Sequence, residues 1–176
     1  MKDKEEEKKI LKARAKELAR EAREEKTLEQ SMEIVEFLLA SEKYGVESSY
    51  VREIYPLKEL TPVPCTPSFV LGIINVRGQI LSVIDIKKFF DLPEKGLTDL
   101  NKVIILRNDK MEFGILADVV LDVRAILKEE IQPPLPTLTG IREEYLIGIT
   151  RERVVILDAE KLLVDKKILV HEEIPG

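Results

Sequence analysis

The sequence predicts a mainly β fold, two repeated small β units closed as barrels behind a charged α-helix, and three observations carry that expectation. Residues 1 to 26 lack Gly and Pro and are rich in helix formers. From Ser31 onward the texture changes to short Val- and Ile-rich runs broken by Gly, Pro and charged turns. Those runs then recur at a spacing of 69 residues.

The opening segment, EEEKKILKARAKELAREAREEK, reads as a helix with a thin apolar stripe, Leu11, Ala15, Leu18 and Ala22, on one face. Two leucines and two alanines make a weak coiled-coil seam, so a solvated helix partly detached from the fold is the first reading and a docking or self-association arm the second. Residues 1–30 are assigned to this charged extension. It differs in charge from the body of the chain: the first 26 residues carry ten Lys or Arg and eight Asp or Glu, a local +2 within a net charge of -5, which leaves -7 for the remainder.

An acidic body disfavours nucleic acid as a partner, because phosphate binding needs a basic face. A hydrophobic content of 44% rules out wholesale disorder. No apolar run approaches the roughly 18 residues of a membrane span, and Met1 leads into lysines and glutamates, so a cytoplasmic location without membrane insertion is expected. The single cysteine, Cys65, forms no internal disulfide. The single histidine, His171, stands beside Glu172 and Glu173 near the C-terminus and reads as a solvated tail residue. No metal site, cofactor or catalytic residue is expected: there is no Gly-rich phosphate cradle and no Cys-His pairing, and Glu143-Glu144 reads as a solvated carboxylate run.

The strand candidates are EIVEFLL, KYGVES, FVLGIINV, QILSVIDI, KVIILR, EFGILADVV, YLIGIT and RVVILDA. Pro-rich connectors stand at TPVPCTP and QPPLPT, where proline excludes a central strand. Shifting by 69 positions lays Ile34, Val35, Phe37, Tyr44, Gly45, Val46, Val51, Glu53 and Ile54 on Val103, Ile104, Leu106, Phe113, Gly114, Ile115, Val120, Asp122 and Val123. After small loop changes, Gly72-Ile73 matches Gly148-Ile149, and Asp85 with Phe89-Phe90 matches Asp158 with Leu162-Leu163. Two such units should pack side by side, closed to remove sheet edges, and leave a partner-binding groove at their seam with Val51 and Val120 facing each other. The expected division is a first barrel at about 31–97 and a second at about 98–165, the first strand being a candidate for sharing, followed by a tail at 166–176.

The stretch 44–90, with VIILRNDKMEFGILADVVLDVRAIL and YLIGITRERVVILDAEKLL, resembles the CheW family of chemotaxis coupling proteins over roughly residues 31 to 165. Its most specific part is TPVPCTPSFVLGIINVRGQILSVID, in which a proline connector, a Gly-initiated strand, an Asn-x-Arg-Gly turn and an Asp-ended strand occur in order. The resemblance implies two five-stranded barrels of the Src-homology-3 type. It also implies a non-catalytic adaptor in a two-component chemoreceptor array, linking receptor cytoplasmic tips to the regulatory domain of the histidine kinase CheA. Receptor-contacting positions carried over from the family are Val51, Arg77 and Val120, with Glu53, Gly72 and Gly78 in support.

Read from the residues alone, Arg77-Gly78 is a tight turn in which glycine provides positive φ. The resemblance adds a guanidinium held at a groove rim and able to pair with a carboxylate. Two alternatives stand beside the adaptor: a phospho-receiver domain with Asp85 as acceptor, or a CheW-like adaptor of a pilus-type pathway, which the long N-terminal helix leaves open. The repeat position of Asp158 argues against the receiver, since both aspartates then read as caps of a helical turn.

Overall fold

The computed structural model describes residues 2–94, 96–134 and 143–169. Helix α1 (Lys2–Glu29) is followed by β1 (Ser31–Leu39), β2 (Glu42–Glu47), β3 (Val51–Pro56), β4 (Val70–Val76), β5 (Gln79–Ile84) and the single turn α2 (Ile86–Phe89). The second half supplies β6 (Lys102–Arg107), β7 (Glu112–Ala117), β8 (Val119–Leu127), β9 (Leu146–Ile149), β10 (Val155–Leu157), α3 (Ala159–Leu163) and α4 (Lys166–Leu169). The two halves thus repeat the same order of elements, five strands and a helical turn. His171 and part of the QPPLPT connector lie outside the described residues.

The repeats are not the sheets. One five-stranded sheet has the order β8-β1-β2-β10-β9 and the other β3-β6-β7-β5-β4. Exchanging each strand for its repeat equivalent turns one order into the other. Each sheet therefore takes its central hairpin from one repeat and its remaining three strands from the other. The division expected near residue 97 is corrected accordingly: 31–47 belongs with 119–157, and 51–84 with 102–117.

Register confirms the exchange. Phe37 pairs with Val120 across β1 and β8, and Leu106 pairs with Val51 across β6 and β3. The parallel pairs match as well, with Ile156 opposite Gly45 and Val83 opposite Gly114. Each sheet is closed by one isolated antiparallel bridge from the chain beyond its outer strand: Thr61 to Ile73, with N···O distances of 2.9 and 2.8 Å, and Gln132 to Ile149, with both at 2.9 Å. The proline connectors supply these bridges at their first residues, before proline removes the next donor.

Three apolar clusters hold this arrangement. Ile74, Val76, Leu81, Val83, Val103, Ile105 and Leu116 fill one barrel, and Ile34, Ile126, Val154 and Ile156 fill the other. The largest cluster lies between the barrels and combines Val35, Phe37, Tyr44 and Leu157 with Ile104, Leu106, Phe113 and Ile115. Strand β6 shows why its sequence reads as an unbroken apolar run: Val103 and Ile105 face the barrel interior, while Ile104 and Leu106 face the shared core. Ile168 of α4 is buried in that core, so the expected tail begins with a packed helical turn.

The receiver alternative fails on this architecture, which has no alternating strand and helix layers. Asp85 instead caps α2, its Oδ1 accepting from the Lys87 N–H at 3.1 Å, and Asp158 caps α3 by accepting from the Lys161 N–H at 3.2 Å. Among the described residues no helix is long and apolar enough to cross a membrane.

Candidate partner-binding site

Arg77 and Gly78 form the two-residue turn between β4 and β5, with φ of +52° and +88°. Positive φ at both central residues is the geometry whose twist suits a two-residue hairpin. Glycine adopts it freely, but for arginine it is strained. Asn75 accepts a hydrogen bond from the Gly78 N–H through Oδ1 at 2.8 Å, which pins the turn. The Arg77 side chain is 76% exposed, and its Nη2 lies 3.2 Å from Oε2 of Glu53 on β3. One carboxylate oxygen occupies only part of a five-donor guanidinium.

Glu53 is the more enclosed partner. Its Oε1 is buried without a hydrogen-bond donor among the described residues, and the Nε of Arg52 stands 3.7 Å away. Arg52 directs its Nη1 elsewhere, to Oε1 of Gln79 at 2.7 Å and to the carboxylate of Glu112. Gln79 completes a ring by donating to Glu112 at 2.9 Å. Burial pushes the Glu112 carboxyl up, but the hydrogen bonds from Arg52 and Gln79 outweigh it and hold the group below its usual range. The hydrogen bond to Glu112 likewise raises Arg52. This network joins β3, the β4–β5 hairpin and β7, so the hairpin tip is anchored to two further strands. Sequence reasoning missed Arg52, Gln79 and Glu112; its one usable signal, the adjacent Arg52-Glu53, matches Leu121-Asp122 in the repeat and so gave no pattern.

The remaining expected positions divide into rim and frame. Val51 and Val120 are half-buried and pack against the shared core from opposite sheets. Each valine therefore packs on the shared core and keeps part of its surface in solvent. Gly72 is buried and makes no exposed contact surface. A Cβ there would stand 2.4 Å from the Thr61 carbonyl oxygen, inside contact distance, so glycine is required by the bridge that closes the barrel. Gly148 repeats this at 2.2 Å from the Gln132 carbonyl oxygen. A Cβ at Gly78 would meet nothing within 4 Å, and the residue's role is the turn.

A second polar anchor lies away from the hairpin. The Lys87 side chain is 1% exposed, and its Nζ donates to Oδ1 of Asp118 at 2.5 Å, while Oδ2 accepts from the Ala40 N–H at 2.9 Å. It ties α2 to the β7–β8 corner and the β1–β2 turn, and so joins both sheets. Among the described residues no group of His, Cys, Asp and Glu is placed to hold a metal.

A family model described as the CheW-like domain matches residues 33–167, from within β1 to the start of α4. This chain belongs to the CheW-like family. The CheW-like chain is 33% identical over 147 residues to the chemotaxis protein CheW of Treponema pallidum, covering 80% of this chain and 86% of that one. It is 32% identical to CheW of Klebsiella aerogenes, with 81% and 87% covered. Among solved structures it is similar to the scaffolding protein TtCheW of Thermoanaerobacter tengcongensis, at a TM-score of 0.69 and 33% identity over 77% of this chain and 90% of that one. Helix α1 precedes the matched CheW-like span.

Proposed function

We propose that this CheW-like chain is a non-catalytic, cytoplasmic chemotaxis scaffold that joins the tip of a chemoreceptor to the regulatory domain of the histidine kinase CheA. The observation that carries the receptor contact is the anchored tip: a mostly exposed Arg77, held 3.2 Å from Glu53 on the strand that also carries Val51. A receptor helix lays apolar residues on the rim at Val51 and Val120, in helix-in-groove fashion. Arg77 keeps free donors for a carboxylate on that helix and sets its register. Glu53 orients the guanidinium, while Gly72 and Gly78 hold the strand and turn that present it. Binding shifts the kinase's conformational equilibrium and needs no chemistry on the scaffold.

The test is binding of the full chain, wild type and Arg77→Asp, to a receptor-tip fragment and separately to a CheA regulatory domain. Reversal of charge at a partly desolvated interface arginine should weaken receptor binding by about 30-fold, equivalent to about 2 kcal/mol. Kinase-domain affinity should be unchanged and the melting temperature should fall by no more than about 3 °C, since the Arg77–Glu53 pair is screened by solvent. Retained receptor binding in a folded Arg77→Asp protein overturns the site, and equal loss of both partners overturns the division of surfaces.

A further inference from the structure

No residue of α1 is buried, and Leu11 and Leu18 are 64% and 66% exposed, so its stripe has no cover among the described residues. Just past its C-terminal end the helix joins the body, where Lys128 donates its backbone N–H to the Gln30 carbonyl. Extending the stripe at heptad spacing in both directions gives Lys4, Lys8, Leu11, Ala15, Leu18, Ala22, Glu25 and Glu29. This seam is basic at one end, apolar in the middle and acidic at the other.

Such a seam is complementary to its own reverse. We propose that α1 pairs antiparallel with α1 of a second copy of this chain, about a two-fold axis crossing the helix between Lys16 and Glu17. The layers then read Lys4 with Glu29 of the second copy, Lys8 with Glu25, Leu11 with Ala22 and Ala15 with Leu18, each occurring twice. Every charged layer joins opposite charges, and every apolar layer sets a large side chain against a small one, which lets the helices approach closely. The flanking positions agree: Arg14 falls beside Glu21 of the second copy and Glu5 beside Lys26.

A parallel pair gains flanking contacts between Glu7 and Lys12 and between Glu21 and Lys26, but stacks lysine on lysine in two layers and glutamate on glutamate in two more. Those four layers lie at the seam itself, where like charges are most costly, so charge selects the antiparallel arrangement. An unrelated partner helix has no reason to require lysines at one end and glutamates at the other. A second copy does.

Sedimentation equilibrium of the full chain, across concentration and salt, is the test. Wild type should show reversible dimerisation that weakens with salt. Lys8→Glu should raise the dissociation constant about tenfold, because two attractive layers become repulsive. Lys8→Glu with Glu25→Lys, which has the same composition as wild type, should restore it. Spin labels at Thr27→Cys in a Cys65→Ser background should sit about 30 Å or more apart, given the axial offset of antiparallel helices. A wild type that stays monomeric up to about millimolar concentration, a double variant no tighter than Lys8→Glu, labels within about 20 Å, or dimerisation that survives deletion of 2–29 each overturns the proposal.

Discussion

Arg52 and Lys87 show how much of a residue's role depends on its neighbours in space. Both are basic residues in β-rich or turn segments, and nothing in their local sequence separates them from solvated surface charges. Only the fold brings Glu112 from β7 to Arg52 and Asp118 to Lys87. Arg77, by contrast, was legible, because the Asn-x-Arg-Gly turn announces a tight hairpin and its tip must project. What could not be read was its positive φ, since an arginine there is justified only by the surroundings that hold it. The ring around Glu112 has a pH signature. Its folded carboxyl titrates below its ordinary 4.5, so its stabilisation is present above that value and is lost as pH falls through the lower folded value. Glu112→Gln cannot titrate. Its melting temperature should lie about 3 °C or less below wild type at pH 7, the pair being partly solvated, and this gap should narrow as pH falls below 4.5; a constant gap in calorimetry refutes the linkage.

Among elements, strands buried on both faces were the easiest to find, because two cores make them uniformly apolar. β6 is the plain example. The strand β3 escaped and β8 was read only at its start, merged with β7 in EFGILADVV: VREIYP contains two charges and a proline, and VVLDVRAIL mixes charge with exposed apolar residues, as befits outer strands with one regular neighbour. Their closure rests on the Thr61 and Gln132 bridges over Gly72 and Gly148. Gly72→Ala and Gly148→Ala should each destabilise the protein by about 2–3 kcal/mol through overpacking against backbone that cannot give way. Equal chemical-denaturation midpoints for wild type and either variant contradict this account. The repeat makes the two effects similar in size, although only Gly72 belongs to the expected partner-binding set.

At the scale of the molecule, the repeat was legible but the exchange was not. A shift of 69 residues reports that two segments are alike, and it is silent on whether each closes upon itself or upon its twin. The second arrangement occurs, because β1 and β2 complete the sheet of β8 to β10 while β6 and β7 complete that of β3 to β5. Fragments 31–97 and 98–165 should therefore each lack a folded monomeric state and should regain dispersed amide resonances when mixed. A folded monomer of either fragment alone refutes this. The same interlacing governs synthesis. As the nascent polypeptide leaves the ribosome, the Ser31–Glu47 ribbon waits with unpaired flanks until Val119–Leu127 and Val155–Leu157 have been translated. A premature stop before Ala117 leaves neither sheet complete, whereas one between Ala117 and Val155 spares β3-β6-β7-β5-β4 and strands the Ser31–Glu47 ribbon without its partners.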